Sequence, residues 1–592
     1  MTYRAPVADI AFAMNHVAGL EQAISSGIFK DLSSDVVSSI LEEAGRFANE
    51  AIAPLNRIGD REGARQIDGK VVTAPGWKET YRAWSEAGWG SLTGPAEYGG
   101  QELPFLLACS CYEMWSSASM AFCLGPILMT GAVEALNSHG SKDLKDRYLA
   151  KLISGEWMAT MNLTESEAGS DLAAIKARAF RHQDGTYRIK GQKIFITYGD
   201  HDLTDNIIHM VLARLPDAPA GTKGISLFLV PKALPDGSRN DVVCASLEHK
   251  LGIHGSPTCV MEYGANDGAV GWLVGEENRG LACMFTMMNN ARLAVGIEGV
   301  SIAERAFQQG LAYAGERRQG RSAVAKGDGM SPIIAHPDVK RMLLTMKALT
   351  QAARGICYMT AAAIDQSTFS PDGETKEMAM AQAALLTPIA KAFSTDIGIE
   401  VASLNIQVHG GAGYIEETGA AQHLRDARIA AIYEGTNGIQ AIDLVMRKLP
   451  LAHGGVARAQ IATIRKTAQH VAKRNLQELG HTGARLREAV ESLDRATAFL
   501  LKAVAADPET ALAVATPYLR LFAIVQGGGV LAETALSASD AITAGDNDPA
   551  HAGRIALCRF YAENLLPDAT GLGDAVIYGA DSVNLGAAAL AE

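Results

Sequence analysis

The feature that most constrains the fold of this chain is a change of sequence periodicity that occurs twice. Apolar residues recur at helical spacing up to about residue 160, for instance over 36–52, where Pro54 closes the run. From about 161 to 278 the pattern becomes short β-branched and apolar runs, such as 207–212 and 225–230, separated by glycine turn signals. Helical periodicity then returns to the end of the chain. Helices, then strands, then helices is the order typical of α+β proteins with segregated elements.

The length of 592 residues exceeds what one compact core supports, so we expect several domains. The changes of pattern predict a helical domain over 1–160, a β domain over 161–278, a helical domain over 279–448 and an additional helical domain over 449–592. The last of these is rich in alanine and carries no chemical motif. Three roles stay open for it, namely covering a ligand pocket, building an oligomer or docking a partner.

Composition and charge exclude several classes of function. A net charge of −12 argues against nucleic-acid binding and against a broadly basic face for membranes. The eight cysteines show no metal-ligand spacing, so we expect no metal site and buried free thiols in a reducing cytoplasm. No targeting pattern is evident at the N-terminus. The apolar run over 116–133 is interrupted by Gly125 and Pro126, which favours a buried helix over integral membrane contact.

The strongest candidate for chemistry is the segment Ile432-Tyr433-Glu434-Gly435-Thr436-Asn437-Gly438. A carboxylate followed at once by glycine leaves room for a ligand to lie against the backbone. Taken alone, Glu434 would be an ordinary surface glutamate, because glutamate is mostly exposed in proteins. It does not stand alone, since Gln407-Val408-His409-Gly410-Gly411 lies 27 positions upstream of it.

Five further segments precede these in order. They read P-A-E-Y-G-G at 95–100, M-N-L-T-E-S-E-A-G-S-D at 161–171, G-Q-K-I-F-I-T at 191–197, K-L-G-I-H-G-S-P-T at 250–258 and E-R-R-Q-G at 316–320. Together the segments resemble the motifs of the acyl-CoA dehydrogenase family over roughly residues 40–448. The resemblance implies that family's α+β fold, with an N-terminal helical domain, a middle β-barrel-like domain and a C-terminal four-helix bundle.

The resemblance also implies a reaction. The chain is expected to be an FAD-dependent dehydrogenase that forms a 2,3-enoyl-CoA, with Glu434 removing the α-proton of an acyl-CoA while a β-hydride goes to the flavin. A free carboxylate is too weak a base for that proton. The base must therefore lose water, which raises its pKa, and the enolate oxygen must meet fixed donors. In the family the backbone N–H of the base is one such donor and a flavin ribityl hydroxyl is another.

The family match implies contacts for the cofactor and the substrate. No G-x-G-x-x-G fingerprint follows a strand, so a Rossmann-type site is not indicated, as expected for this family. Gln407, Gly410 and Gly411 are expected to reach the FAD of a neighbouring subunit. For Arg292, a helix-capping or intersubunit ion pair is the alternative to a ligand role, whereas the fork of Arg317 suits a pyrophosphate. The residues implied for FAD are Met161, Leu163, Thr164, Gly169, Ser170, Phe195, Thr197, Arg317, Gln319, Gln407, Gly410, Gly411 and Thr436, and those for acyl-CoA are Ser170, Asn289, Arg292, Tyr433 and Gly435.

Departures from the family pattern point to one branch. Phe195 stands where tryptophan is common, Ser166 replaces the usual proline, and Asn437-Gly438 replaces a small-residue-glutamine pair. With the extra C-terminal segment, these departures resemble a long bacterial branch that acts on 3-(methylthio)propionyl-CoA, in dimethylsulfoniopropionate breakdown, or on ordinary fatty acyl-CoAs. We therefore expect 3-(methylthio)propionyl-CoA or another short or medium acyl-CoA as substrate, with a long-chain fatty acyl-CoA as the alternative.

The partners follow from the same resemblance. An electron-transfer flavoprotein is the expected electron acceptor, and a homodimer or homotetramer is the expected assembly. An acyl-CoA oxidase, which passes electrons to oxygen, stays an alternative. A non-catalytic DNA-binding relative is a further alternative, and both the net charge of −12 and the intact Glu434 count against it.

Overall fold

The computed structural model of the chain describes residues 3–29, 32–323 and 329–590, without the side chains of Asn289 and Ala587. The chain divides into two compact units. A helical unit comprises the described parts of Pro6–Glu43 and Val295–Glu592, and a mixed unit comprises Ala44–Ala294 with the described residues of Thr2–Ala5. The combination of helices and strands confirms the α+β class.

The mixed unit contains several helices together with every strand of the described residues. The unit boundary falls within two helices, α3 Ser34–Phe47 and α9 Gly280–Glu316. The other helices of the mixed unit are α4 Leu55–Glu62, α5 Trp77–Glu86, α6 Phe105–Ala118, α7 Met120–His139 and α8 Lys142–Ile153. Its strands are β1 Arg65–Ile67, β2 Lys70–Val72, β3 Met158–Asn162, β4 Arg178–Arg181, β5 Tyr187–Thr197, β6 Ile207–Arg214, β7 Ile225–Pro231, β8 Val242–Leu247, β9 Thr258–Tyr263 and β10 Ala269–Val274.

The main sheet of the mixed unit closes on itself. Its strand order is β10-β7-β6-β4-β5-β9-β8, with β3 parallel to β6, and β10 also pairs with β5 through Ala269 opposite Ile189. That second pairing joins the first and fifth strands, so the sheet is barrel-like, as expected. Every residue of β6 and β7 is buried, which explains why both strands read as unbroken apolar runs rather than as alternating ones.

One element of the mixed unit was not expected. The region before residue 160 was predicted to be helical, yet β1 and β2 form an antiparallel hairpin within it. Asp68 and Gly69, at φ 50° and 74°, are the two residues between the strands. Two successive positive φ angles define a type I′ turn, which an Asp-Gly pair favours. The turn signal was present, but strands of three residues are too short to show a period.

The helical unit contains the long helices of the chain. α10 packs along α11, and α17 packs against both of them. Gly355 of α10 shows how close that approach is, because an added Cβ would lie 2.2 Å from a methyl carbon of Val530. The helices are α1 Val7–His16, α2 Leu20–Ser25, α10 Pro337–Phe369, α11 Gly373–His409, α12 Ala420–Ala427, α13 Asn437–Asp443, α14 Gly455–Arg474, α15 Thr482–Ala506, α16 Pro508–Ala513, α17 Ala515–Thr543, α18 Ala550–Asn564, α19 Asp568–Tyr578, α20 Ala580–Leu585 and α21 Ala587–Leu590.

Two helices among the described residues are long and apolar enough to cross a membrane by length and composition. They are α7 and α17, and 78% and 83% of their most apolar windows are buried inside the protein. The run over 116–133 is buried as predicted, although Ser119, in an extended conformation, divides it between α6 and α7. The second such helix, α17, was not anticipated. All eight cysteines are buried free thiols, as predicted.

Candidate functional site

Glu434 lies in a tight left-handed turn of the helical unit. Glu434 has φ 54° and Gly435 has φ 82°, between a 3-10 helix ending at Ala431 and the start of α13. Thr436 caps α13, since its side-chain oxygen accepts a hydrogen bond from the backbone N–H of Ile439 at 3.2 Å. A left-handed conformation at a residue other than glycine costs about 1–3 kcal/mol unless its surroundings hold it. The half-buried Glu434 is therefore a position that the rest of the fold maintains.

The carbonyl groups of this turn are held from two sides. The fully buried Lys391, on α11, donates from Nζ to the Gly435 carbonyl and to Asn437 Oδ1, both at 2.9 Å. Gln440, also buried, donates from Nε2 to the Glu434 carbonyl at 3.3 Å. These donors offset the strain of the turn and fix the peptide planes on both sides of Gly435.

A second carboxyl group lies behind the turn. Glu298, on α9, is 1% exposed and accepts a hydrogen bond from the Tyr433 hydroxyl. Burial raises the pKa of Glu298 to about 8; the Tyr433 hydrogen bond and Lys391 oppose the shift, and the charge of Glu434 adds to it. Burial therefore favours the neutral form of Glu298 at pH 7, next to the proposed base.

The raised pKa of Glu298 predicts how the stability of the fold changes with pH. Folding raises the pKa of Glu298. The stabilisation of the folded state by its protonated form is therefore fully present below pH 4.5, the pKa of the unfolded chain, and is lost as pH rises through about 8. A Glu298→Gln variant has no carboxyl group to titrate. Its melting temperature relative to that of the unchanged protein is therefore expected to rise between pH 5 and pH 8.5, measured by differential scanning. A constant difference across that range would contradict the prediction.

The segment over 161–171, which contains several of the predicted FAD contacts and is here called the flavin loop, is held by one buried ion pair. Lys193, fully buried on β5, donates from Nζ to Glu165 Oε1 at 2.7 Å and to the Leu163 carbonyl at 3.0 Å. Glu165 also accepts the backbone N–H groups of Lys176 and Ala177, at 2.7 Å and 3.1 Å. Burial lowers the pKa of Lys193 to about 8, and the charge of Glu165 opposes that shift. The pair thus fixes the loop that follows β3.

The flavin loop and the motif over 191–197 meet around this pair. The Ile194 N–H donates to the Thr164 carbonyl at 2.9 Å, and Thr160 Oγ1 donates to the Thr197 carbonyl at 2.6 Å. Met161 is buried at the end of β3, whereas Leu163 and Thr164 are half-buried. The segments containing the predicted cofactor residues 161–164 and 195–197 are therefore neighbours.

Phe195 has an unusual conformation at a β-bulge. The register between β5 and β9 shifts between Lys193 and Ile196, and Phe195 has φ 60° there. The residue is 58% exposed within the chain, which is high for a phenylalanine. Gly169 and Ser170 are exposed too. An aromatic ring held outward by a strained residue is suited to packing on a flat apolar ligand.

The remaining cofactor candidates lie on the surface of the helical unit. Arg317 and Gln319 are exposed beyond the end of α9, where the Gln319 N–H donates to the Ser331 carbonyl at 3.0 Å. Gln407, Gly410 and Gly411 are exposed at the end of α11, and a Cβ added at either glycine would meet nothing within 4 Å. These groups have the accessibility that a large ligand requires.

The residues predicted to bind the substrate differ in how exposed they are. Tyr433 and Gly435 flank Glu434, and Ser170 is exposed on the flavin loop. Arg292 is buried, with its guanidinium 5.9 Å from the centre of the Phe285 ring. The side chain of Asn289 lies outside the described residues.

Several residues that hold the site were missed by sequence analysis. Lys391 and Glu298 are single charged residues inside long apolar helical runs, a pattern that signals a paired buried charge. Lys193 and Glu165 lay inside recognised motifs without being assigned a role. Among the described residues, no group of three or more His, Cys, Asp or Glu side chains is placed to hold a metal.

Four family models match the chain in order. They are described as the acyl-CoA dehydrogenase N-terminal domain over residues 35–156, its middle domain over 160–264, its C-terminal domain over 278–449, and an acetyl-CoA dehydrogenase C-terminal-like domain over 460–585. The last match covers most of the segment for which no motif was found.

Individual proteins resemble the chain along nearly its whole length. A protein of Ruegeria pomeroyi named 3-methylmercaptopropionyl-CoA dehydrogenase is 45% identical over 571 residues, 96% of each chain. A butyryl-CoA dehydrogenase of Syntrophomonas wolfei is 32% identical over 587 residues, again 96% of each. The crystal structure of an acyl-CoA dehydrogenase complexed with FAD from Bacillus anthracis has a TM-score of 0.73 at 21% identity, covering 95% of this chain and 92% of that one.

Proposed function

This chain belongs to the acyl-CoA dehydrogenase family, and from that membership we propose that it oxidises 3-(methylthio)propionyl-CoA to the corresponding 2,3-enoyl-CoA, with Glu434 as the base. As a member of the family it is an FAD-dependent oxidoreductase, with the family's N-terminal, middle and C-terminal domains and an additional C-terminal helical domain. We place the boundaries of these domains at residues 160, 278 and 448.

The observation that carries the proposal is the turn at Glu434. A carboxylate in a left-handed conformation, followed by a glycine whose carbonyl is bound by Lys391, is held in one orientation. Substrate binding would remove water from Glu434 and raise its pKa toward that of the α-proton it accepts. The backbone N–H of Glu434 would stabilise the enolate oxygen, and Gly435 would let the thioester lie close to the chain.

The residues present fit an FAD molecule. Phe195 offers an exposed ring for the flavin, beside the backbone of 161–164 that the Lys193–Glu165 pair fixes. Arg317 offers an exposed guanidinium for the pyrophosphate. We propose that Leu163, Thr164, Ser170, Thr197 and Thr436 contact the cofactor. When bound, FAD supplies the acceptor for the hydride that leaves the β-carbon.

The substrate is proposed from the relatives. The relative named for 3-methylmercaptopropionyl-CoA is 45% identical to this chain, against 32% for the one named for butyryl-CoA. The two acyl groups differ by one heavy atom in length. A difference of one methylene in an apolar pocket changes specificity by about 10–200-fold. We therefore expect the thioether substrate to be preferred and butyryl-CoA to be accepted more slowly.

Anaerobic flavin bleaching tests this proposal. The rate of absorbance loss at about 450 nm, where oxidised flavins absorb, would be measured with 3-(methylthio)propionyl-CoA, butyryl-CoA, palmitoyl-CoA and 3-phenylpropionyl-CoA. We expect the first to bleach the flavin fastest and butyryl-CoA to follow. Fastest bleaching by palmitoyl-CoA would overturn the substrate, and no bleaching by any thioester of a chain with bound FAD would overturn the proposed activity.

We propose an electron-transfer flavoprotein as acceptor and a cytoplasmic homodimer or homotetramer as the working assembly. The support for an assembly is the segment after α11, where Tyr414 is 85% exposed and Ile415 is also exposed. Gln407, Gly410 and Gly411 precede these side chains, and we assign them to the FAD of a neighbouring subunit. Peroxide formation under air in place of flavoprotein reduction would overturn the acceptor.

A further inference from the structure

The helical unit contains a second acidic residue next to the proposed base, and its backbone is tightly fixed. Glu298 lies between Gly296 and Gly299 on α9. A Cβ added at Gly299 would lie 2.3 Å from the Ser394 carbonyl oxygen of α11, and one added at Gly296 would lie 3.1 Å from the Ala390 carbonyl oxygen. At position 299 a side chain would collide with the backbone of α11, and at position 296 the fit is tight. The close contact sets α9, with Glu298, against the part of α11 that contains Lys391.

The turn at Glu434 is thereby held at both ends. On its C-terminal side, Lys391 binds the Gly435 carbonyl at 2.9 Å. On its N-terminal side, the Tyr433 hydroxyl donates to Glu298 Oε2. These two anchors come from facing parts of α11 and α9, so the strained φ of Glu434 is fixed by groups far from it in sequence.

We propose that Glu298 is a positioning residue for the dehydrogenation, which accepts the hydrogen bond of the Tyr433 hydroxyl and thereby sets the orientation of Glu434. The inference rests on the proposed role of Glu434 as the base. An apolar residue at 298 would leave the half-buried Tyr433 hydroxyl without this acceptor. A charged one would add a negative charge next to the proposed base. A neutral acid both accepts the hydrogen bond and adds no charge next to the base.

The test compares three variants of the FAD-loaded protein. Glu298→Leu removes the acceptor, Tyr433→Phe removes the donor, and Glu298→Gln keeps a neutral acceptor of the same shape. Ser301→Ala is the matched control, because its buried hydroxyl lies on the same helix and donates to the Ile297 carbonyl one turn earlier, at 2.7 Å. Flavin bleaching by 3-(methylthio)propionyl-CoA would be followed in single turnover, per bound FAD, from pH 6 to pH 9.

The expected result is a loss of rate without a loss of binding. Glu298→Leu and Tyr433→Phe should each lower the limiting bleaching rate about tenfold or more, with the Kd for the acyl-CoA changed less than about threefold. The double variant should be no slower than the slower single variant, because both changes break the same contact. Glu298→Gln should recover most of the rate lost in Glu298→Leu and keep the pH midpoint of the reaction. Ser301→Ala should bleach at the unchanged rate.

Three results would overturn the proposal. They are an unchanged rate in Glu298→Leu, losses that multiply in the double variant, and a pH midpoint that falls in Glu298→Gln, as expected if Glu298 were charged. If Glu298→Leu does not fold, Tyr433→Phe, which removes one oxygen atom, decides the outcome by the same rate criterion. Turnover that survives in Glu434→Gln would instead remove the proposed base. The two failures are therefore distinguishable.

Discussion

A Glu434→Gln variant is expected to bind FAD and acyl-CoA and to be reduced by the thioester about 10²–10⁴-fold more slowly, or not measurably. The amide has the shape of the carboxylate but cannot accept a proton. The turn at Gly435 is held through backbone carbonyls by Lys391 and Gln440, so the substitution leaves those contacts in place. Anaerobic bleaching measured against FAD content separates the loss of chemistry from a loss of cofactor.

Glu377→Gln is the matched control for that change. Glu377 is exposed on α11, the same helix that contributes Lys391, and it has no role in the proposed site. Its substitution should leave the bleaching rate unchanged. Turnover by Glu434→Gln within a factor of ten of the original rate would show that another group removes the proton.

The sequence predicted the parts of this fold and site that depend on local pattern. The strands over 207–212 and 225–230 were found because a strand buried on both faces is a continuous apolar run. Glu434 was proposed from the sequence because its segment resembles a family motif, and its role as the base stays a prediction. The hairpin at Asp68-Gly69 was missed because each of its strands has three residues, fewer than any periodicity needs.

The contacts that hold the site could not be predicted in the same way. Tyr433 and Glu298 are 135 positions apart, and Lys391 is 44 positions from Gly435. Periodicity describes which face of a helix is buried, but it does not tell which residue of another helix a polar group will meet. A lone charge in an apolar run shows only that some partner exists.

A Lys193→Met variant is expected to destabilise the mixed unit by about 3–5 kcal/mol, because it leaves the carboxylate of Glu165 buried without its counter-ion. Lys193 is fully buried, and its Nζ is 2.7 Å from Glu165 Oε1. For a unit of this size the change corresponds to a melting temperature lowered by about 10 °C. The loop over 163–170 loses its anchor at the Leu163 carbonyl, so FAD should also be retained less well through gel filtration.

A second substitution tells whether the lost stability comes from the unpaired charge of Glu165 or from a general loss of packing. In Lys193→Met/Glu165→Gln the buried carboxylate is gone, so part of the lost stability should return, although the Leu163 carbonyl still lacks its donor. The matched control is Lys176→Met, shortly after that loop, because the ion pair of Lys176 with Glu167 is largely exposed and should contribute little. Equal effects of Lys193→Met and Lys176→Met would mean that burial does not set the strength of the pair. The double variant could instead be less stable than Lys193→Met. The hydrogen bonds that Glu165 accepts from the N–H groups of Lys176 and Ala177 would then outweigh the cost of its unpaired charge, against the prediction.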